Sequence, residues 1–430
     1  MSAGLLVLFA AFVLLAGVGV PVGFAMLAAG IAYLFTTGQD VGLLVDQVAG
    51  RLQASYTLIA IPMFIFAANL MNGAKITDRI VTVAAFALGR LPGGVAHANV
   101  ASSVVFSGMS GSAIADVAGP GRVMMALMTK GGRYPAGFAG AVTAASATIG
   151  PIIPPSIPIV LYAVVSNASV GALFLGGIVP GLMMAAALML LIAVEAKRRK
   201  FAREDRVSLA DGRAAVVDAA LPLLMPVILL GGIYLGITTA TEAAALAALY
   251  ALFLALAVYR TLSFGGLVDT LVVTVRESAM VGITIAGAYI VGYAITNERL
   301  PMALAEWLIA LELSPLALLF AISVLFLALG CFLDVSIMLL VLVPLLIPSV
   351  VLSGIDLVHF GVVIVVNIMI GLVTPPYGLI LFVIASLGNT SLKALIGEIL
   401  PFVAVLIGVL VLLILVPDLV LWLPRTLGVG

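Results

Sequence analysis

Charged residues are scarce in this sequence, and their scarcity defines the class of protein. Only 9% of the 430 residues are Asp, Glu, Lys or Arg, whereas 64% are hydrophobic; an average soluble domain is about 25% charged. Apolar runs of about 20 residues, the length that crosses a bilayer, recur along the chain. The composition therefore predicts a polytopic protein of the lipid bilayer without a sizeable soluble domain. The net charge of zero gives no indication of nucleic-acid binding.

Cysteine, histidine and N-terminal basic residues are also nearly absent. The single cysteine, Cys331, excludes an internal disulfide framework and a multi-cysteine metal site. The two histidines lie far apart, and no HExxH, clustered acidic motif or GxSxG is present, which argues against an intramembrane enzyme. No Lys or Arg precedes Arg51. We therefore interpret the apolar N-terminus as a retained first helix and not as a cleaved signal peptide.

Basic residues concentrate near the middle of the chain. Seven of the 19 Lys and Arg residues lie within residues 195–214, the only long polar loop. The positive-inside rule places this loop in the cytoplasm. We therefore divide the chain into a first repeat, residues 1–194, a cytoplasmic linker, residues 195–213, and a second repeat, residues 214–430. Counting helices outward from the linker places the N-terminus in the periplasm.

Two copies of a Gly-x-x-x-Pro-Pro pattern indicate that the two repeats are related. The stretch "IGPIIPPSIPI" begins at Ile149 and "IGLVTPPYGLI" begins at Ile370, 221 positions later. The same offset aligns the apolar segments of the two repeats. An odd number of crossings in each repeat gives the copies opposite orientations, and the flanking charges agree, because they are basic in the first copy and mostly acidic in the second. The sequence therefore predicts an all-α fold built as an inverted repeat.

Each repeat is expected to contain a re-entrant helical hairpin and a broken transmembrane helix. Proline pairs remove backbone donors and interrupt helices, so we predict broken helices within residues 134–165 and 360–388. We predict hairpins at about residues 98–129 and 315–352, because the apolar pieces there are too short or too irregular to count as full spans and glycines permit a tight turn at each tip. Irregular backbone at membrane depth survives only where protein or a water-filled cavity surrounds it. For the first hairpin, a helix–helix contact through small residues is the alternative.

The interrupted helices are expected to bring helix ends together near the membrane midplane. Freed carbonyl groups, together with hydroxyl and amide oxygens, suit a cation such as Na⁺, and exposed N–H groups suit an anionic substrate. Individual hydroxyls near the prolines have a simpler alternative role, which is to bond back to the helix and ease a kink.

Three charged residues near the predicted tips have more than one interpretation. Asp116 lies four residues beyond Ser112, near the first tip, and Asp334 lies four residues beyond Gly330, near the second tip. Either carboxylate could serve a cation site, orient a tip by accepting backbone hydrogen bonds, or be protonated, and we favour the orienting role. Arg122 lies about 15 Å along the helix from Ser112, where it either snorkels to the surface or contacts a substrate carboxylate.

With these motifs in place, the chain closely resembles the large membrane subunit of tripartite ATP-independent periplasmic (TRAP) transporters, over essentially its full length. The residues that carry the resemblance are "LPGGVAHANV" (91–100), "FSGMSGSAIADVAG" (106–119), "AVTAASATIGPIIPPSIPIVLY" (141–162), "LGCFLDVSIMLLVLVPLLIP" (329–348) and "DLVHFGVVIVVNIMIGLVTPPYGLILFVIA" (356–385).

This resemblance implies a sodium-coupled secondary importer of small organic acids in the bacterial inner membrane. It implies Na⁺ as coupling ion with no other cofactor, a periplasmic substrate-binding protein, and a separate small membrane subunit of four helices. The implied mechanism is an elevator, in which the hairpins and broken helices form a moving transport domain. Amphipathic arms, residues 76–90 and 301–312, would link that domain to a scaffold.

In the family, sodium sites lie where each hairpin tip meets a broken helix. Matching the motifs gives two predicted sodium sites and a substrate set. The first sodium site comprises Ser107, Ser110, Ser112, Ser146, Thr148 and Gly150; the second comprises Gly330, Asp334, Asn367, Gly371 and Thr374; and the substrate set comprises Ser110, Pro154, Pro155, Pro375, Pro376 and Arg122.

Two other transport functions are compatible with parts of this pattern. A stand-alone sodium–dicarboxylate symporter of the same superfamily would share the hairpins and broken helices but would work without a binding protein. A channel is disfavoured because the chain contains no ring-forming filter repeat. The identity of the organic acid cannot be derived from this chain, since selectivity in the family depends largely on the binding protein.

Overall fold

A computed structural model describes residues 2–201, 209–387 and 390–429, and these residues form helices and connecting loops with no β-strand. Up to residue 198 the helices are α1 (Ala3–Gly17), α2 (Val22–Thr36), α3 (Gly42–Ala54), α4 (Ala60–Gly73), α5 (Ile76–Leu88), α6 (Gly94–Ser110), α7 (Ala113–Asp116), α8 (Arg122–Thr129), α9 (Ala136–Ala147), α10 (Ile157–Ser166) and α11 (Val170–Arg198).

The helices that follow are α12 (Leu209–Tyr234), α13 (Ala240–Phe253), α14 (Phe264–Asn297), α15 (Leu300–Ala310), α16 (Pro315–Gly330), α17 (Val335–Ile337), α18 (Val343–Leu352), α19 (Leu357–Gly371), α20 (Leu379–Leu387), α21 (Leu392–Leu415) and α22 (Asp418–Thr426). Short 3₁₀ turns occur at Tyr56–Ile59 and Lys130–Gly132, and π turns occur at Val117–Gly121, Leu254–Val258 and Met338–Leu342.

Length and hydropathy confirm a multi-pass membrane protein. Within the described residues, seven helical segments are long and apolar enough to cross a bilayer. The outer faces of α12 and α14 expose many large apolar side chains, among them Val217, Val227, Phe264 and Val275. Such faces are unfavourable in water and favourable against lipid tails.

The helices form two packed groups. The scaffold bundle, which we define as α1, α2, α4, α12, α13 and α14, is held by close helix contacts. In it, an ideal Cβ at Gly30 would lie 2.6 Å from the side chain of Ile290, so glycine lets α2 approach α14 closely. The central bundle, which we define as α6–α11 and α16–α21, surrounds α9 and α19, whose residues are almost all buried.

Structural features recur at the offset of 221 residues. The π turns at Val117–Gly121 and Met338–Leu342 occupy matching positions, and so do the irregular segments after α9 and α19. The peptide bonds Pro154–Pro155 and Pro375–Pro376 are both cis. In addition, α10 packs against α19 and α20 packs against α9. The helix that follows each interruption therefore contacts the helix that precedes the interruption in the other copy.

Three features differ from the sequence-based expectation. The amphipathic helix α3 was not expected, because it is too short and too polar to count as a span. The apolar pattern of the sequence predicts a span over about residues 270–296, whereas residues 264–297 form one helix of 34 residues. Helix α11 continues to Arg198 and α12 begins at Leu209, so helices occupy both ends of the predicted linker. Residues 202–208 of that linker lie outside the described residues.

Candidate functional site

The first predicted tip contacts the first predicted break. Gly111, between α6 and α7, has a left-handed φ of +59°, and an ideal Cβ there would lie 2.4 Å from the carbonyl oxygen of Pro155. The Ile157 N–H donates to the Gly111 carbonyl at 3.4 Å. The carbonyl oxygen of Ser112 lies 3.6 Å from an ideal Cβ at Gly150. The turn therefore needs glycine both for its conformation and for its approach to the break.

The second tip meets the second break in the same way. An ideal Cβ at Gly371 would lie 2.7 Å from the Cα of Gly330, so the two backbones touch directly. The Gly378 N–H donates to the Cys331 carbonyl at 3.2 Å. The structure thus brings together two residues that the sequence assigned to the second site, Gly330 at the end of α16 and Gly371 at the end of α19.

Both interruptions present helix ends to the tips. Helix α9 ends at Ala147, and α10 begins after Ser156, whose hydroxyl accepts a hydrogen bond from Ile159 N–H at 3.2 Å. Ser156 also donates to the carbonyl of Pro151. The carbonyl groups at the end of each first helix and the N–H groups at the start of each second helix are partly freed by the break. These are the partial charges that bind cations and anions, respectively.

Most of the predicted site hydroxyls bond back to their own helix. Ser107, Thr148 and Thr374 each donate to a backbone carbonyl three or four residues earlier, at 2.5–2.6 Å. Ser146 does so at 3.1 Å. This is the kink-easing geometry that the sequence left as an alternative, although each oxygen keeps lone pairs that a cation could use.

Two oxygen atoms of the predicted sites have no such partner. The Ser110 hydroxyl is buried and makes no hydrogen bond to any described residue. Asn367 is fully buried, and its Nδ2 donates to the Ser323 carbonyl at 2.8 Å, which leaves its Oδ1 without a partner. A buried oxygen without a hydrogen bond costs about 1–3 kcal/mol. One unpaired acceptor therefore lies near each tip, and a small cation would satisfy it.

Asn99 is a buried polar residue of this region that the sequence reasoning missed. Its Nδ2 donates to Thr143 Oγ1 at 2.7 Å, and its Oδ1 accepts from the Ser146 hydroxyl at 3.4 Å. Asn99 on α6 thereby fixes the orientation of two hydroxyls on α9. The sequence could have indicated Asn99, because it is an amide side chain within an apolar helical segment, and such a group is costly at membrane depth unless it is paired.

The two tip carboxylates differ in role. Asp334 caps α17, because its Oδ1 accepts from Ser336 N–H at 2.8 Å. That is the orienting role expected from the sequence. For Asp116 that expectation is wrong, because Ser112 occupies the cap and the buried Asp116 carboxylate, which lies beside the Ser103 hydroxyl, accepts no backbone N–H among the described residues. A buried carboxylate of this kind must be protonated or compensated by a cation.

The predicted substrate residues differ in exposure. Pro154 and Pro155 are buried, Pro375 is half-buried and Pro376 is exposed. Arg122 is exposed at the start of α8, beyond the π turn that follows the tip. Among the described residues, no group of three His, Cys, Asp or Glu side chains could hold a metal ion.

Comparison with known proteins agrees with this architecture. Residues 8–419 match the family model described as "Tripartite ATP-independent periplasmic transporter, DctM component". The chain is 41% identical to the sialic acid TRAP transporter large permease protein SiaM of Vibrio cholerae, covering 96% of each chain. It is 38% identical to the C4-dicarboxylate TRAP transporter large permease protein DctM of Pseudomonas aeruginosa, covering 87% of this chain and 88% of that one.

A solved structure shares the fold. The YdaH transporter of Alcanivorax borkumensis superposes with a TM-score of 0.63 at 19% identity, over 90% of this chain and 89% of that chain. Together with the sequence matches over nearly the full length, the helical membrane fold leads to one assignment. This chain belongs to the DctM family, the large permease component of tripartite ATP-independent periplasmic transporters.

Proposed function

We propose that this chain is the permease subunit of a sodium-coupled importer that receives a small carboxylate from a periplasmic binding protein. Two relatives are named for carboxylates, sialic acid in one case and C4-dicarboxylates in the other. The observation that carries the proposal is the contact of each glycine tip with an interrupted helix, with one unpaired buried oxygen beside each contact.

The two tip–break contacts are the proposed sodium sites. At the first, Ser110 offers an unpaired hydroxyl oxygen close to the carbonyl groups that follow α9. At the second, Asn367 Oδ1 is the unpaired oxygen, near the contact of Gly330 with Gly371. Na⁺ suits such sites because hydroxyl, amide and main-chain oxygens can replace its hydration shell without a full negative charge.

The proposed carboxylate site lies between the N-terminal ends of α10 and α20. Both helices begin next to a proline pair, and their first N–H groups carry partial positive charge. Pairing an anionic substrate with Na⁺ would offset its charge in the apolar barrier, since one Na⁺ neutralises a monocarboxylate and two neutralise a dicarboxylate, which is a physical reason for coupling.

We propose an elevator mechanism in which the central bundle moves relative to the scaffold bundle. On this model, α6–α8 and α16–α18 are re-entrant hairpins, and the 221-residue offset reflects an inverted repeat with residues 195–213 in the cytoplasm and the N-terminus in the periplasm. Support comes from the reciprocal packing of α10 on α19 and of α20 on α9. The proposed complex lies in the bacterial inner membrane and includes a small subunit of four helices.

Reconstituted transport tests the coupling. The permease, its small subunit and its binding protein should import substrate into proteoliposomes when Na⁺ is present outside, and import should fall to background when K⁺ or choline replaces Na⁺. Equal uptake with K⁺ would refute sodium coupling. Uptake by the permease alone would revive the stand-alone symporter, which the comparisons do not favour.

A further inference from the structure

Helix α5, the first arm, is attached to the scaffold bundle by a polar cluster. Arg79 on α5 forms an ion pair with Asp218 on α12. The Arg79 guanidinium carbon also lies 3.8 Å from the centre of the Tyr259 ring, at the end of α13. The Tyr259 hydroxyl donates to the Asp218 carbonyl at 2.6 Å. One arginine therefore joins the arm to two scaffold helices at once.

The rest of α5 follows α12 in antiparallel register. At the far end of the contact, an ideal Cβ at Gly212 would overlap the ring of Phe86, so this ring packs directly on the α12 backbone. Thr82 and Ala215 lie between this contact and the Arg79 ion pair, and both line the same cavity of about 320 Å³. The arm thus lies along α12 for about two turns, with polar residues at one end and apolar packing at the other.

The second arm has no comparable attachment. Helix α15 packs on α18 and on α14, and only Ala305 of its residues is buried. In the described part of the chain, no ion pair joins Glu306 or Glu312 to another residue. The two arms therefore differ in how firmly they are held, although their positions in the two repeats correspond.

The connection from α5 to the first hairpin is a glycine-rich turn. Gly93 has a left-handed φ of +75°, and an ideal Cβ at Gly94 would lie 2.2 Å from the carbonyl oxygen of Gly89. Gly89, Gly93 and Gly94 flank the three side chains of residues 90–92 in this turn, and a change of direction would be absorbed at these glycines, since hinges consist of a few loop or helix-end residues.

We propose that Arg79, Asp218 and Tyr259 clamp the first arm to the scaffold bundle throughout the transport cycle, so that the first hairpin moves about the turn at residues 89–94. The inference rests on the proposed elevator mechanism. It assigns the three side chains as positioning residues, which contact neither ion nor substrate. The second arm, which lacks a clamp, moves with its hairpin.

Cross-linking separates this inference from the elevator itself. Thr82→Cys with Ala215→Cys joins the arm to α12, whereas Gly108→Cys with Pro226→Cys joins the first hairpin to α12, since an ideal Cβ at Gly108 lies 2.7 Å from the Pro226 ring. Each pair is treated with a short bis-methanethiosulfonate reagent in the reconstituted complex. Uptake by the same variant is compared before treatment, after treatment and after reduction; Cys331 is buried, and the unsubstituted protein receives identical treatment.

We expect the arm cross-link to leave uptake intact and the hairpin cross-link to abolish it until it is reduced. If both cross-links abolish uptake, the arm leaves the scaffold and the clamp is refuted while the elevator stands. If the hairpin cross-link has no effect, the elevator is refuted. Both results are changes within one variant, before and after treatment and reduction, so a folding defect lowers the starting uptake but does not alter the comparison.

Substitution of the clamp gives an independent test. Arg79→Ala removes an ion pair and a cation–π contact. Together these correspond to about a tenfold shift of the equilibrium between the docked and the released arm, towards the released arm. We expect slower uptake with an unchanged half-saturating Na⁺ concentration, and partial recovery in Arg79→Lys. Arg425→Ala is the matched control, because its pair with Asp418 at 2.9 Å is exposed within α22. Equal uptake by the Arg79 and Arg425 variants would overturn the proposal.

Discussion

Replacing Gly371 with alanine is the sharpest perturbation of the proposed second sodium site. An ideal Cβ at this position would lie 2.7 Å from Gly330 Cα, 2.8 Å from its carbonyl carbon and 3.1 Å from its carbonyl oxygen. All three atoms belong to the backbone, so no flexible side chain can turn away. Carbon atoms in ordinary contact are about 3.5–4.0 Å apart, so the tip and the end of α19 must separate by about 1 Å.

The cost of this separation follows from overpacking data. Forcing one extra carbon into a packed contact costs about 1–3 kcal/mol, which corresponds to about a 5- to 150-fold shift against the closed tip. The gain in helix propensity is small, because Gly371 is the last residue of α19. Asn367 lies one helical turn before Gly371 in α19. A displaced tip therefore also moves the Gly330 carbonyl oxygen away from the unpaired Oδ1 of Asn367.

Two further glycines give a graded series. An ideal Cβ at Gly330 would lie 3.2 Å from Gly371 Cα, so Gly330→Ala needs a smaller shift. Gly408 in α21 has nothing within 4 Å, so Gly408→Ala is the control and should be neutral or stabilising. We expect the half-saturating Na⁺ concentration for uptake to rise most for Gly371→Ala, less for Gly330→Ala and not at all for Gly408→Ala.

The assay is substrate uptake by the reconstituted complex over a range of Na⁺ concentrations, with thermal unfolding in detergent as the measure of folded protein. A Gly371→Ala protein that matches Gly408→Ala in both measurements would refute the closed contact as part of a sodium site. A Gly371→Ala protein that loses thermal stability but keeps its Na⁺ dependence would show that the contact stabilises the fold without contributing to Na⁺ binding.

Three other substitutions test neighbouring interactions. Ser110→Ala should raise the half-saturating Na⁺ concentration, whereas Ser349→Ala, which removes a buried unpaired hydroxyl from α18, should not; equal behaviour would remove Ser110 from the site. Asn99→Ala should lower the free energy of unfolding by about 1–3 kcal/mol, measured by thermal denaturation, since it removes two buried hydrogen bonds, to Thr143 and from Ser146, each worth about 0.5–1.5 kcal/mol. Arg199→Ala should destabilise the protein by about 1–2 kcal/mol, because this guanidinium joins α11 to α21 through two 2.7 Å bonds to Glu398; an unchanged unfolding temperature would contradict this.

The parts of the fold that the sequence predicted are those with local causes. Proline pairs interrupt a helix wherever it packs, and the two interruptions lie where Pro154–Pro155 and Pro375–Pro376 stand. The turn at Gly111 was predictable because glycine tolerates its left-handed backbone. Whether the segments α6–α8 and α16–α18 re-enter the bilayer depends on the position of the lipid, so that expectation stays a prediction.

The parts that the sequence did not predict depend on distant partners. The bond from Asn99 to Thr143 joins residues 44 positions apart, and the role of Ser146 follows from the same pairing. For Asp116, the spacing from the tip is visible in the sequence, but the residue that caps α7, Ser112, is not. The clamp at Arg79 also escapes a sequence pattern, because its partners lie on α12 and at the end of α13.

The unpaired oxygens suggest an order of events at the proposed sodium sites. At the first site the open acceptor, Ser110, belongs to the hairpin tip, whereas Ser146 on α9 is already paired with Asn99. At the second site the open acceptor, Asn367, belongs to α19, and Ser146 and Asn367 correspond at the 221-residue offset. Because α19 is buried along its length and Asn367 Nδ2 is fixed by the Ser323 carbonyl, its oxygen is held in place before the tip closes. A preorganised ligand loses less entropy on binding, so the second site should begin to bind Na⁺ through Asn367 while its tip is open and hold it tightly only once the tip closes, whereas the first should not begin to bind until its tip is closed.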